Sequence, residues 1–117
     1  MFDSVHEVVM LPTNGLEQII DEVNFKYNQR EGDPEWFDPE EFMYLFWTEQ
    51  EFGTDCWMKL DVSEGYIERE KAWLEECKNH PALSHSVYVG TIRIRVLEYI
   101  RARMPSHIDI VMVPIAY

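Results

Sequence analysis

The sequence predicts one small α/β (or α+β) domain over residues 1–117. It would hold a mostly parallel sheet of three or four strands packed with about four helices, in the order β-α-α-β-α-β-α-β. Three observations carry this expectation. The chain has 117 residues and is 46% hydrophobic and 14% aromatic. A chain of that size buries roughly two thirds of its unfolded surface, so its core needs neither metal nor disulfide. Short β-branched runs alternate with segments of helical period. Near the C-terminus, two strand-like runs flank a helical one, a pattern that makes a right-handed parallel crossover.

The elements follow in order. "SVHEVVML" (4–11) is short and β-branched, and Pro12 ends it, so it reads as a strand. A helix begins near Leu16, capped by Asn14 or Thr13, with Glu17 in its first turn. Leu16, Ile19, Ile20, Val23 and Tyr27 form its apolar stripe, and "EGDPEW" breaks it. A second helix has Asp38 as N-cap, Pro39 at its first position and Glu40 and Glu41 at its positive end, and it runs to Gly53. Phe42, Leu45, Phe46, Glu49 and Phe52 share one face of it, beside Met43, Trp47 and Gln50.

"DCWMKLDVS" (55–63) alternates, with Cys56, Met58, Leu60 and Val62 on one face, as a half-buried strand does. Ser63 caps a helix to about Lys78 whose inner stripe is Ile67, Trp73, Leu74 and Cys77. "NHPALSH" is a loop and "SVYV" (86–89) a short strand. "TIRIRVLEYIRARM" (91–104) fits either period. Its length and its Ala, Leu, Glu and Arg content favour a helix, in which only Ile94 is badly placed. "HIDIVMVPIAY" closes the chain as an apolar strand, buried on both faces at its start, with Pro114 at an edge or beyond the sheet. This order of elements is similar to that of barstar, a small acidic nuclease inhibitor with a parallel sheet; the likeness lies in the order alone, since no motif is shared.

Charge is distributed unevenly. The formal net charge is −12, and residues 1–58 carry all of it, with fourteen acids against Lys26 and Arg30. Residues 59–117 hold eight bases and eight acids. Nine acids and no base lie between Glu31 and Met58. Such a field repels nucleic acid and anionic membranes and attracts basic proteins or cations. Direct nucleic-acid binding is disfavoured, because phosphate contact needs Lys and Arg. No apolar run approaches the roughly 18 residues of a membrane span, the N-terminus has no secretory leader pattern, and two cysteines make no disulfide framework. The expected compartment is the reducing cytoplasm.

The chemistry-bearing motifs are weak. There is no Gly-rich phosphate loop and no G-x-S-x-G, so no catalytic residue is assigned. Asp61, Glu64 and Glu68 show no ordered cation-ligand spacing. Cys77, His80 and His85, with Cys56 as a fourth group, are the right types for zinc, yet their spacing matches no standard site. A helix end decorated by histidine explains them as well. No metal ligand and no cofactor is assigned.

Binding remains. "DPEWFDPEEFMYLFWTEQEF" (33–52) crowds rings and carboxylates together without a base. Most of its rings must be core, because one helix cannot expose so many. Trp36 and Phe37 precede the helix cap, where burial is least assured, and suit interface anchors. The expected surface comprises Asp33, Glu35, Trp36, Phe37, Glu40, Glu41, Glu49 and Glu51. The function it suggests is a non-enzymatic one. An acidic interaction protein would block a basic, nucleic-acid-binding protein surface, as a phage-type DNA mimic or a nuclease-immunity protein does. The alternatives are an assembly protein that forms a homodimer or larger oligomer through its C-terminal strand, and a small enzyme or zinc-bound domain. Negative charge that merely keeps the protein soluble is the plainest reading of all.

Overall fold

A computed structural model describes residues 8–46 and 57–115. Its strands are β1 (Val8–Met10), β2 (Trp57–Asp61) and β3 (Ile110–Pro114). Its helices are α1 (Gly15–Lys26), α2 (Phe42–Phe46), α3 (Glu64–Cys77) and α4 (Ser84–Arg103), with 3-10 turns at Pro39–Glu41 and Pro81–Leu83. The fold is α+β, and the order among the described residues is β-α-α-β-α-α-β.

The sheet departs from the expected one. β3 lies in the middle, parallel to β1 and antiparallel to β2, so the sheet is mixed and three-stranded. The expected crossover from 86 to 113 fails because Ser86–Val89 are helical. They belong to α4, a twenty-residue helix that takes in the ambiguous 91–104 segment as far as Arg103. Three β-branched or aromatic residues (Val87, Tyr88 and Val89) prefer a strand only weakly, and packing overrides that preference. The likeness to barstar's parallel sheet does not extend to this topology.

Residue alternation sets which face of the sheet is covered. Met58, Leu60, Val111 and Val113 are buried, while Lys59 and Met10 on the other side are exposed. Leu60 stands opposite Val111 and Met58 opposite Val113, so the buried pairs meet across the ladder. β3 is thus buried on one face, not both as its apolar sequence suggested. Over Ile110–Met112 both of its backbone edges are hydrogen-bonded, so it offers no edge there to a second copy of the chain.

The core joins Leu16, Ile20 and Val23 of α1, Phe42, Leu45 and Phe46 of α2, and Ile92, Val96, Leu97 and Ile100 of α4 to this face. α4 packs against α1, α2 and α3, and its buried residues span more than half its circumference. That breadth explains why Ile94, misplaced for a narrow stripe, is buried all the same. Where α3 meets α4, Gly90 lets the helices approach closely: a Cβ there would stand 3.0 Å from the Trp73 ring and 3.3 Å from Leu74, so both side chains would have to give by a few tenths of an ångström. Trp73 itself lies on the flank of α3 and is 37% exposed; Glu70 takes the inner place.

Two caps form as predicted. Asp38 accepts a hydrogen bond from the Glu40 amide at 3.0 Å, and Ser63 accepts one from the Tyr66 amide at 3.3 Å. Asn14 holds the capping position of α1 in the left-handed region (φ 63°), but its side chain makes no capping bond. The helix expected to reach Gly53 begins as a 3-10 turn and then α2; Trp47, Glu49, Gln50, Glu51, Phe52, Gly53 and Cys56 lie outside the described residues.

Candidate functional site

The candidate surface is carried by the segment from Tyr27 to Phe46. Its fixing begins at the end of α1. Asn28 adopts φ 56°, its amide donates to the Phe25 carbonyl at 3.1 Å, and the Gln29 amide donates to Asn24 at 2.8 Å. This is a Schellman ending with asparagine in the left-handed position. Asp33 then accepts from the Arg30 amide at 2.7 Å, and Gln29 accepts from the Glu35 amide at 3.0 Å. Gly32, at φ 96°, allows the turn between them.

Deeper in, Asn24 of α1 holds both backbone groups of Phe37. Its amide nitrogen donates to the Phe37 carbonyl at 2.8 Å, and its oxygen accepts from the Phe37 amide at 3.1 Å. The Tyr88 hydroxyl of α4 donates to the Trp36 carbonyl. Two helices therefore fix the backbone on which the predicted anchors stand. Neither Asn24 nor Tyr88 was expected at the site. The signal for Asn24 was available, because it lies four residues after Ile20 on the apolar side of α1.

The expected residues divide into groups. Phe37 is core, 5% exposed and packed near Tyr88 with ring centroids 6.0 Å apart, so it is no rim anchor. Trp36 is half-buried. Asp33 is engaged in its own turn. Glu35 is ion-paired to Arg95 at 2.9 Å, and that guanidinium also lies 4.0 Å over the Tyr27 ring. Tyr27 thus sits beyond α1 on the surface, not in its apolar stripe. Glu40 and Glu41 are exposed and, among the described residues, have no partner, as is also true of Glu31. Glu49 and Glu51 lie outside the described residues.

Trp36, Phe37, Asp38, Glu41, Tyr44, His85, Tyr88 and Val89 line an open cavity of about 340 Å³. This is at the lower end of the roughly 300–1,000 Å³ typical of ligand pockets. Tyr44 is 72% exposed at its mouth, a large ring left in solvent. Burial, then the carboxylates of Asp38 and Glu41, hold the Tyr88 phenol above its ordinary range near 10. The local field therefore disfavours anions and favours cations.

His85, expected beside Cys77 and His80 in the zinc reading, stands instead against Tyr88, with ring centroids 6.2 Å apart. Cys77 is buried on α3. Among the described residues, no three His, Cys, Asp or Glu side chains converge on a point that could hold a metal ion. Nor, among those residues, is any helix long and apolar enough to cross a membrane. No protein-family model matches the chain, and no curated protein or solved structure matches it.

Proposed function

We propose that this protein is a non-enzymatic binder that covers a basic, nucleic-acid-binding protein surface. The observation that carries this is the state of the acids. Among the described residues of the first half, Glu35 is the one acid in an ion pair. In the second half, Glu68, Glu70, Glu75, Glu98 and Asp109 each meet a base. Unpaired carboxylates are thus concentrated in one part of the sequence, where the stretch that carries Glu31, Glu40 and Glu41 also carries a half-buried Trp36 and an exposed Tyr44. A one-signed field of this kind accelerates capture of a partner of opposite charge, and the rings supply area in the contact itself. Surfaces built to hold phosphates are the natural target.

The test is affinity capture from the native host with the parent and two charge variants. One variant carries Glu31→Gln, Glu40→Gln and Glu41→Gln; the other carries Glu64→Gln, Glu68→Gln and Glu76→Gln. The parent and the second variant should retain the same basic, nucleic-acid-binding protein, duplex DNA should compete for it, and the first variant should lose it. Retention that ignores both sets of substitutions would reduce the acids to a solubility feature.

A further inference from the structure

We propose that the cavity between Trp36, Tyr44 and Tyr88 is a receptor for one arginine side chain of the partner, its guanidinium stacked on the rings and forked onto Glu41 and Asp38. The inference rests on the basic-partner reading above and names the group that would anchor it.

The molecule supplies its own precedents. Arg93 lies 5.7 Å from the Trp73 ring and binds Glu70 at 2.7 Å. Arg95 lies 4.0 Å from the Tyr27 ring and binds Glu35 at 2.9 Å. Arg103 lies 3.4 Å from the Tyr99 ring, whose hydroxyl donates to Glu22. In the first two places an aromatic face and a carboxylate share an arginine of this chain; in the third the arginine covers the ring of a tyrosine whose hydroxyl the carboxylate holds. The fourth gathering of rings and carboxylates has no Lys or Arg among its described lining residues. It has the complement of a guanidinium without the guanidinium.

The chemistry selects arginine over other cations. A guanidinium is planar, weakly hydrated and rich in donors, so it stacks on a ring while it bonds a carboxylate. Glu41 has no partner among the described residues, and Asp38 uses one oxygen on the Glu40 amide, which leaves its other oxygen to accept. An ammonium is compact and strongly hydrated and gains less from ring faces. The Asn24 and Tyr88 hydrogen bonds fix the Trp36–Phe37 backbone before any ligand arrives, which lowers the ordering cost of binding. Free arginine fits less well than a peptide, since its own carboxylate would face Glu40 and Glu41. Two other comparable hollows among the described residues already hold bases of their own: Asp21 and Glu22 share one with Lys26 and Arg103, and Glu64, Glu68 and Glu98 share the other with Lys71 and Arg101.

The experiment is an NMR titration of the full chain with three blocked tripeptides, acetyl-Gly-X-Gly-amide, where X is arginine, lysine or citrulline. Citrulline keeps the shape and removes the charge. The arginine peptide should shift the Trp36 indole and the Tyr44 and Tyr88 ring signals, and bind about tenfold more tightly than the citrulline peptide. Tyr44→Ala and Glu41→Gln, both at exposed positions, should each weaken it about fivefold, and Tyr44→Phe should restore most of the loss. Equal binding of the arginine and citrulline peptides overturns the proposal. So do shifts confined to other parts of the molecule, or a lysine peptide that binds as tightly as the arginine one. If the parent captures a basic partner through Glu31 and Glu40 while the arginine peptide produces no shift, the partner reading stands and this one falls. If the arginine peptide saturates the cavity but no basic protein is retained, the reverse holds.

Discussion

The α3–α4 half and the segment from Tyr27 to Phe46 manage charge in opposite ways. In the first, residues 59–117 hold acids and bases in equal number, and most of the acids meet a base, along α3, between α3 and α4, or from α4 to Asp109. Lys71 joins Glu68 and Glu98, Lys78 joins Glu75, and the 4%-exposed Arg93 side chain joins Glu70 while donating to the Leu45 carbonyl at 2.8 Å. In the second, among the described residues, Glu35 alone meets a base, Arg95; the other carboxylates fold the chain locally, as Asp33 and Asp38 do, or stay unpaired on the surface. Charge in one region closes the structure; in the other it is left for an external partner. Net charge alone could not have separated these uses.

The strongest way to break this comparison is at Arg93. Arg93→Met leaves Glu70 buried and unpaired and frees the Leu45 carbonyl, which should cost about 3–5 kcal/mol in urea unfolding. Adding Glu70→Leu should recover most of that loss, because a buried pair replaced by apolar groups is often neutral. A single variant within about 1 kcal/mol of the parent would show that the pair does not hold α2 to α3 and α4.

Asn24→Ala comes next. It leaves the amide and carbonyl of Phe37 without partners, at a cost of about 2 kcal/mol, and should speed hydrogen exchange at the Phe37 amide. Unchanged exchange there would mean that Tyr88 alone holds the loop. Asp38→Ala should cost about 1 kcal/mol through loss of the cap, read in the same denaturation experiment. The smallest effect concerns Tyr88. Its phenol is held above 10 in the fold, so its contribution to stability is complete below pH 10 and fades as pH rises through the raised value. Tyr88→Phe should therefore flatten the parent's loss of stability on the alkaline side.

The helices with a cap residue and a clear stripe were legible in the sequence. Ser63 and Asp38 were read as caps and act as caps, and Leu16, Ile20 and Val23 are core as their spacing implied. What was not legible depended on tertiary neighbours. "SVYV" has strand-forming residues, yet it is the first part of a long helix whose later turns are buried on several sides. β2 and β3 read correctly as strands, but alternation gives no strand direction, so the mixed pairing was invisible. Phe37 preceded a cap and so seemed exposed, and only the Asn24 bonds thirteen residues away explain why it is buried. At the site, the acids and Trp36 were named from the sequence, whereas Tyr44, His85 and Tyr88 join them only through the packing of α2 and α4.

The claim that unpaired first-half acids steer a basic partner is tested most directly by stopped-flow association with the protein captured from the native host, measured across salt. The Glu31→Gln/Glu40→Gln/Glu41→Gln variant should associate about tenfold more slowly than the parent near 0.05 M salt. The gap should close well above 0.15 M, where the screening length falls below ~8 Å. The Glu64→Gln/Glu68→Gln/Glu76→Gln variant, with the same change in net charge, should follow the parent throughout. Equal slowing by both variants would contradict the account, for it would mean that capture responds to total charge and not to the surface around Trp36 and Tyr44.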